Sequence, residues 1–82
     1  MEKSIHTREY AVLLRLLKQA REAAGLTQVQ VAKRLKQSQS FVTKMERGDR
    51  RIDVVQLRTI CRVYGSTLPE FVARLEAELA SE

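Results

Sequence analysis

The stretch Thr27-Gln28-Val29-Gln30-Val31-Ala32-Lys33-Arg34-Leu35-Lys36-Gln37-Ser38-Gln39-Ser40-Phe41-Val42-Thr43-Lys44-Met45-Glu46-Arg47-Gly48 decides the fold. Thr27-x-x-Gln30 has the spacing of a capping box, in which a hydroxyl and an amide satisfy the free N–H groups of a helix start. A helix therefore follows Thr27 and ends near Lys36. A second helix follows Ser38 and ends before Gly48. At about 100° per residue, Gln39, Thr43, Arg47, Ser40 and Lys44 fall in that order across an arc of roughly 140°. Every member of the arc can donate a hydrogen bond. Phe41, Met45 and Val42 occupy the other side, with Glu46 at the apolar edge.

Charge is concentrated in the same region. Between Thr27 and Arg51 stand Lys33, Arg34, Lys36, Lys44, Arg47, Arg50 and Arg51, opposed only by Glu46 and Asp49. The formal net charge of +5 belongs to this stretch, because acids and bases cancel over the rest of the chain. Two short basic helices joined by a tight turn make a footprint for nucleic acid, whose backbone presents a dense line of phosphates. Glutamine pairs bidentately with adenine in the major groove, Ser and Thr read several bases, and Lys or Arg favours guanine or phosphate. An ordinary solvated helix face would more often mix Glu with Lys.

Outward from this pair, three more helices have recognisable ends. Helix 1 runs from Arg8 to Ala24, with Thr7 as N-cap and Gly25 as stop. Helix 4 follows Asp53, with Gln56 three positions on, and closes at Gly65. Helix 5 follows Thr67, carries Pro69 in its first turn and Glu70 as the second half of another capping box, and reaches Ala80. The short links between the helices fit a compact bundle. The expected class is all-α: five helices in a single domain over residues 1–82, its central helix pair at 27–47 and its last helix at 68–80.

Composition narrows the possibilities. At 82 residues the chain is too short for a two-domain enzyme with an intervening cleft. A hydrophobic share of 44% beside 30% charged residues is globular rather than disordered. One proline and three glycines argue against a strand-and-turn architecture. A single cysteine, Cys61, forms no internal disulfide and suits a reducing cytoplasm. No run approaches a membrane span of roughly 18 apolar residues, and no signal-peptide pattern stands at the N-terminus. One His (His6) and one Cys assemble no zinc site, and Ser38 and Ser40 lack a nearby base. No catalytic residue, cofactor or metal is expected.

Gly25-Leu26-Thr27-Gln28, Val31-Ala32-x-x-Leu35 and Ser38-Gln39-Ser40-Phe41-Val42-x-Lys44-Met45-Glu46-Arg47-Gly48 together resemble the Cro/phage-repressor (Xre-type) helix–turn–helix family. The likeness continues through Leu57, Ile60, Cys61 and Tyr64-Gly65, and covers residues 10 to 72. It implies a five-helix lambda-repressor-like fold with helix 3 in the major groove. It also implies operator binding as a homodimer, transcriptional regulation and a cytoplasmic bacterial or phage-encoded protein. Position by position, it assigns Gln28 to a phosphate and to holding Gln39, the leading base reader. Ser40, Thr43 and Lys44 fall where family members vary with operator sequence, and Arg47 and Arg51 where they contact the backbone. Thr27, Lys36 and Arg50 join the expected backbone set by position and charge. Ala32 matches the small residue where helices 2 and 3 cross; Val31, Leu35, Val42 and Met45 match the core.

The chain departs from the family pattern in the turn. Lys36 stands where glycine is usual, and Gln37 where an apolar residue is common. A lysine held left-handed costs on the order of 1 kcal/mol, so a somewhat different turn is expected. Plain tolerance and an added cation and donor at the groove edge both account for the pair.

Helix 1 carries an apolar arc of roughly 200°, wider than one core-facing stripe requires, so it is expected to pack on two sides. Arg21 lies inside that arc. A buried guanidinium needs an acid at an apolar boundary, and Glu46 is the natural candidate; the family resemblance implies the same pair. The alternative is that Arg21 reaches past its neighbours into water. Cys61 reads as a small buried hydrophobe. Glu76, Glu78 and Glu82 read as a solvated acidic end. On helix 5, Phe71, Leu75, Leu68, Leu79 and Val72 form a stripe about 100° wide. Either it closes the core alone, or Phe71, Leu75 and Leu79 also help to form a dimer.

These features converge on a sequence-specific transcriptional regulator of double-stranded DNA, a homodimer on an inverted repeat. Two alternatives stay open. One is the antitoxin of a toxin–antitoxin pair, with a toxin as protein partner, which an acidic, aromatic-rich tail would favour. The other is an interaction adaptor that keeps the fold without reading DNA. Gln28, Gln39 and Arg51 together speak against the adaptor.

Overall fold

The computed structural model describes residues 7–81; His6 and Glu82, with the readings made of them, lie outside the described residues. Five helices follow one another: α1 (Arg8–Ala23), α2 (Gln28–Leu35), α3 (Gln39–Arg47), α4 (Val54–Val63) and α5 (Leu68–Ala80), with no strand among the described residues. Their starts are set by side chains that take up free N–H groups. Thr7 accepts from the Tyr10 N–H at 3.1 Å and Ser38 from the Phe41 N–H at 3.1 Å. Thr27–Gln30 and Asp53–Gln56 both form complete capping boxes.

Only half of the box expected at α5 is present. Thr67 accepts from the Glu70 N–H at 3.3 Å, but the Glu70 carboxylate takes the Ser66 hydroxyl at 3.4 Å rather than the Thr67 N–H. Ser66 is an alternative donor that the three-residue spacing does not reveal.

The core is built from one face of every helix. Val12, Leu16 and Leu17 come from α1, Val31 and Ala32 from α2, and Phe41, Val42 and Met45 from α3. Ile60 and Cys61 on α4, Tyr64 at its end and Phe71 on α5 complete it. Helix α1 packs against both α3 and α5, as its wide apolar arc requires, while α2 packs on α3 and α4. Cys61 is a buried hydrophobe, and burial pushes its thiol pKa up.

Helix α5 belongs to this core. Phe71 is 2% exposed, and Leu68, Leu75 and Leu79 pack against the buried cluster. Phe71 therefore has no surface to offer a second chain, whereas Leu75 and Leu79 are half-buried and Val72 is exposed. Glu78 is not simply solvated either, since its carboxylate accepts from Arg15 at 3.3 Å and ties α5 to α1. Among the described residues, no helix is long and apolar enough to cross a membrane.

Candidate nucleic-acid interface

The turn between α2 and α3 sets the angle at which α3 is presented. Lys36 adopts φ 58° and ψ 42°, the left-handed conformation, and is the one non-glycine residue among those described with positive φ. The Gln37 N–H reaches the Ala32 carbonyl at 2.9 Å and the Lys36 N–H the Lys33 carbonyl at 3.2 Å. These are the paired bonds of a Schellman ending. The turn thus keeps the geometry that glycine would serve, and lysine bears the steric cost. Ala32, 4% exposed, lies at the α2–α3 contact, where a larger side chain would hold the helices apart.

Beneath α3 lies a polar network that ties it to α1 and α2. The Arg21 guanidinium grips Glu46 with two bonds, Nε to Oε2 and Nη2 to Oε1 at 3.2 Å, and Nη1 donates to the Leu26 carbonyl at 2.8 Å. The two side chains are 11% and 5% exposed, so Arg21 does not reach into water. Its hydrogen bond to Glu46 outweighs desolvation and raises the guanidinium pKa further. Gln28 Nε2 donates to Glu46 Oε1 at 2.9 Å, and Gln28 Oε1 accepts the Thr43 hydroxyl at 2.9 Å. In the free chain, then, Gln28 holds Glu46 and Thr43 rather than Gln39.

The outer face of α3 is open. Gln39, Ser40, Lys44 and Arg47 are exposed, and Thr43 is half-buried beside Gln28. Thr27, Lys36, Arg50 and Arg51 are exposed as well. Arg47 lies 3.3 Å from Asp49 in an exposed pair, which competing phosphates can replace at small cost. The Arg50 guanidinium stacks over the Phe41 ring, 4.7 Å from its centroid. Gln37, Ser38, Ser40, Phe41, Lys44 and Arg50 line a hollow of about 230 Å³. Polar side chains thus stand along one helix face, with Arg50 beside Ser40 and Lys44. Among the described residues, no group of His, Cys, Asp and Glu is placed to hold a metal ion.

A family model described as a helix–turn–helix domain matches residues 12–75. An XRE-family like protein from Pseudomonas syringae pv. tomato is 44% identical, over 92% of each chain, with a TM-score of 0.84. The chain belongs to the XRE-type helix–turn–helix family. The clp gene regulator ClgR from Corynebacterium glutamicum shares the fold at 19% identity, over 90% of this chain and 79% of that one, with a TM-score of 0.77. No curated protein matches the chain in sequence. Helices α2 and α3 are therefore the helix–turn–helix of a DNA-binding domain.

Two features of this face are absent from the sequence reading. The stack of Arg50 on Phe41 crosses a turn and obeys no helical period, so only charge density near Phe41 hints at it. The link from Gln28 to Thr43 joins two helices, and neither residue's own pattern shows it.

Proposed function

We propose that this chain is a sequence-specific transcriptional regulator that acts as a homodimer on an inverted-repeat operator, with α3 in the major groove. The observation that carries the reading is the exposed face of Gln39, Ser40 and Lys44, held on a frame that Arg21, Glu46 and Gln28 lock from below. Gln39, in the first turn of α3, is placed to meet base edges; Ser40, Thr43 and Lys44 extend the reading surface. Thr27, Gln28, Lys36, Arg47, Arg50 and Arg51 meet phosphates and set the register. The chain performs no catalysis in this reading and works in the cytoplasm.

Dimerisation follows from area. One helix–turn–helix buries too little surface for tight specific binding, and a two-fold axis doubles it. Bodies measuring 33 × 28 × 20 Å fit side by side at half-sites about 34 Å apart.

The test separates reading from holding. Gln39→Ala should lose roughly 1–3 kcal/mol on the selected operator and much less on random duplex. Arg51→Ala should weaken both, and lower the salt slope of binding by about one unit. Equal losses on both duplexes for both variants would make the protein a general DNA binder and end the regulator reading.

A further inference from the structure

We propose that Thr43 presents DNA with a hydrogen-bond acceptor only, because a relay from Arg21 through Glu46 and Gln28 commits its hydroxyl proton inward. The inference rests on the reading above, in which α3 enters the major groove, and adds a rule for one of its side chains.

The direction of each bond follows from chemistry. Glu46 lies against the Arg21 guanidinium with two bonds from it, and a carboxylate so paired can only accept. Whatever meets its Oε1 must donate. Gln28 meets it at 2.9 Å, so the amide turns its NH2 group there. Turning the amide over would set a carbonyl oxygen against a carboxylate oxygen. The Gln28 carbonyl therefore faces Thr43, whose hydroxyl lies 2.9 Å away and must give its proton to it. A hydroxyl has one proton and two lone pairs. With the proton in use, only lone pairs remain for a base.

In the major groove the donors are the amino groups of adenine (N6) and cytosine (N4); guanine offers acceptors at N7 and O6. Thr43 is thus matched to an amino group and opposed to a purine N7. Glu46 and Arg21 act as positioning residues, setting a preference at a base they never touch. Lys44 and Arg47, which only donate, complement it on the same helix face.

The experiment starts from an operator selected out of random duplexes by the unaltered protein. Thr43→Val, which removes the hydroxyl on an outward face, is crossed with duplexes altered at single atoms. One set lacks a single exocyclic amino group; the other carries C–H in place of a single N7. The expected result is a coupling of about 3- to 10-fold between the Thr43 hydroxyl and one amino group, and none with any N7. Gln28→Leu, which removes the carbonyl that takes the Thr43 proton and leaves both Arg21 bonds to Glu46 in place, should relax the preference. With the proton free, the variant should tolerate an acceptor in place of that amino group about 3-fold better than the parent does. Coupling to an N7 in the unaltered protein, coupling to neither atom, or a folded Gln28→Leu variant as selective against the acceptor as the parent overturns the inference. The Thr43→Val cycle decides alone if Gln28→Leu does not fold. Failure to select any operator would instead remove the regulator reading, and this inference with it.

Discussion

Arg21→Ala measures how far the recognition helix depends on one ion pair. The change removes both bonds to Glu46 and the 2.8 Å bond to the Leu26 carbonyl. Glu46, its side chain 5% exposed, would keep only the Gln28 amide. Leaving one member of a buried pair uncompensated costs about 3–5 kcal/mol. The lower end applies here, because the retained amide and water entering the vacated Arg21 site partly compensate the charge. A domain of this size loses about 4–8 °C per kcal/mol, so the melting temperature should fall by roughly 12–24 °C. The exposed Arg15–Glu78 pair supplies the contrast: its side chains are 46% and 39% exposed, and Arg15→Ala should lose less than about 1 kcal/mol. Replacing both partners, as Arg21→Met with Glu46→Leu, should recover much of the loss, since no charge is then stranded. Thermal melts followed by far-UV circular dichroism give the answer. A melting temperature for Arg21→Ala within a degree or so of the parent would refute the reasoning.

Sedimentation of the protein on its operator should give two chains per duplex at saturation; one chain would end the dimer. Lys36→Gly should raise stability by about 1 kcal/mol in thermal melts, because glycine tolerates the left-handed turn at φ 58°. An unchanged or lower melting temperature would show that the turn bears no strain. Burial raises the pKa of both the Cys61 thiol and the Tyr64 phenol, the Glu46 charge adding to the latter. Each is held neutral in the fold, so its contribution is whole below the ordinary values of 9.0 and 10.0 and is lost as the pH rises above them. Denaturant midpoints should therefore fall from about pH 9 upwards, less steeply in Cys61→Ala.

Much of the fold was legible because its boundaries are local. Thr27 with Gln30 and Asp53 with Gln56 announce their helices within four residues, and the observed ends differ from the expected ones by a residue or two. The polar arc of α3 was legible for the same reason, since Gln39, Ser40 and Lys44 share a face through period alone. The Arg21–Glu46 pair was legible through a physical necessity, a cation inside an apolar arc, although 25 residues separate its members. Links whose two ends are each self-consistent were not. Gln28 satisfies any reading of a helix start, and only packing shows that it reaches across 15 residues to Thr43. The stripe on α5 was ambiguous in principle, because core and partner demand the same period; burial assigns Phe71 to the core and leaves Val72 exposed beside the half-buried Leu75 and Leu79.

The placement of the two tyrosines separates what different measurements see. Tyr10 and Tyr64 both turn their hydroxyls into the interior without a hydrogen-bond partner, and the chain has no tryptophan. Phenol emission therefore originates from two side chains with buried hydroxyls, one on α1 and one at the close of α4, and not from the exposed face of Gln39 and Lys44. Such signals follow the integrity of the core, and the Tyr64 phenol, which feels the charges of Glu46 and Arg21, also reports on the frame beneath α3. A variant whose tyrosine spectrum matches the parent while its labelled-duplex titration shifts has been altered at the contact surface alone. Measured on the free protein, where no duplex absorbs in the same range, the tyrosine signal thus supplies a folding control for each variant described above.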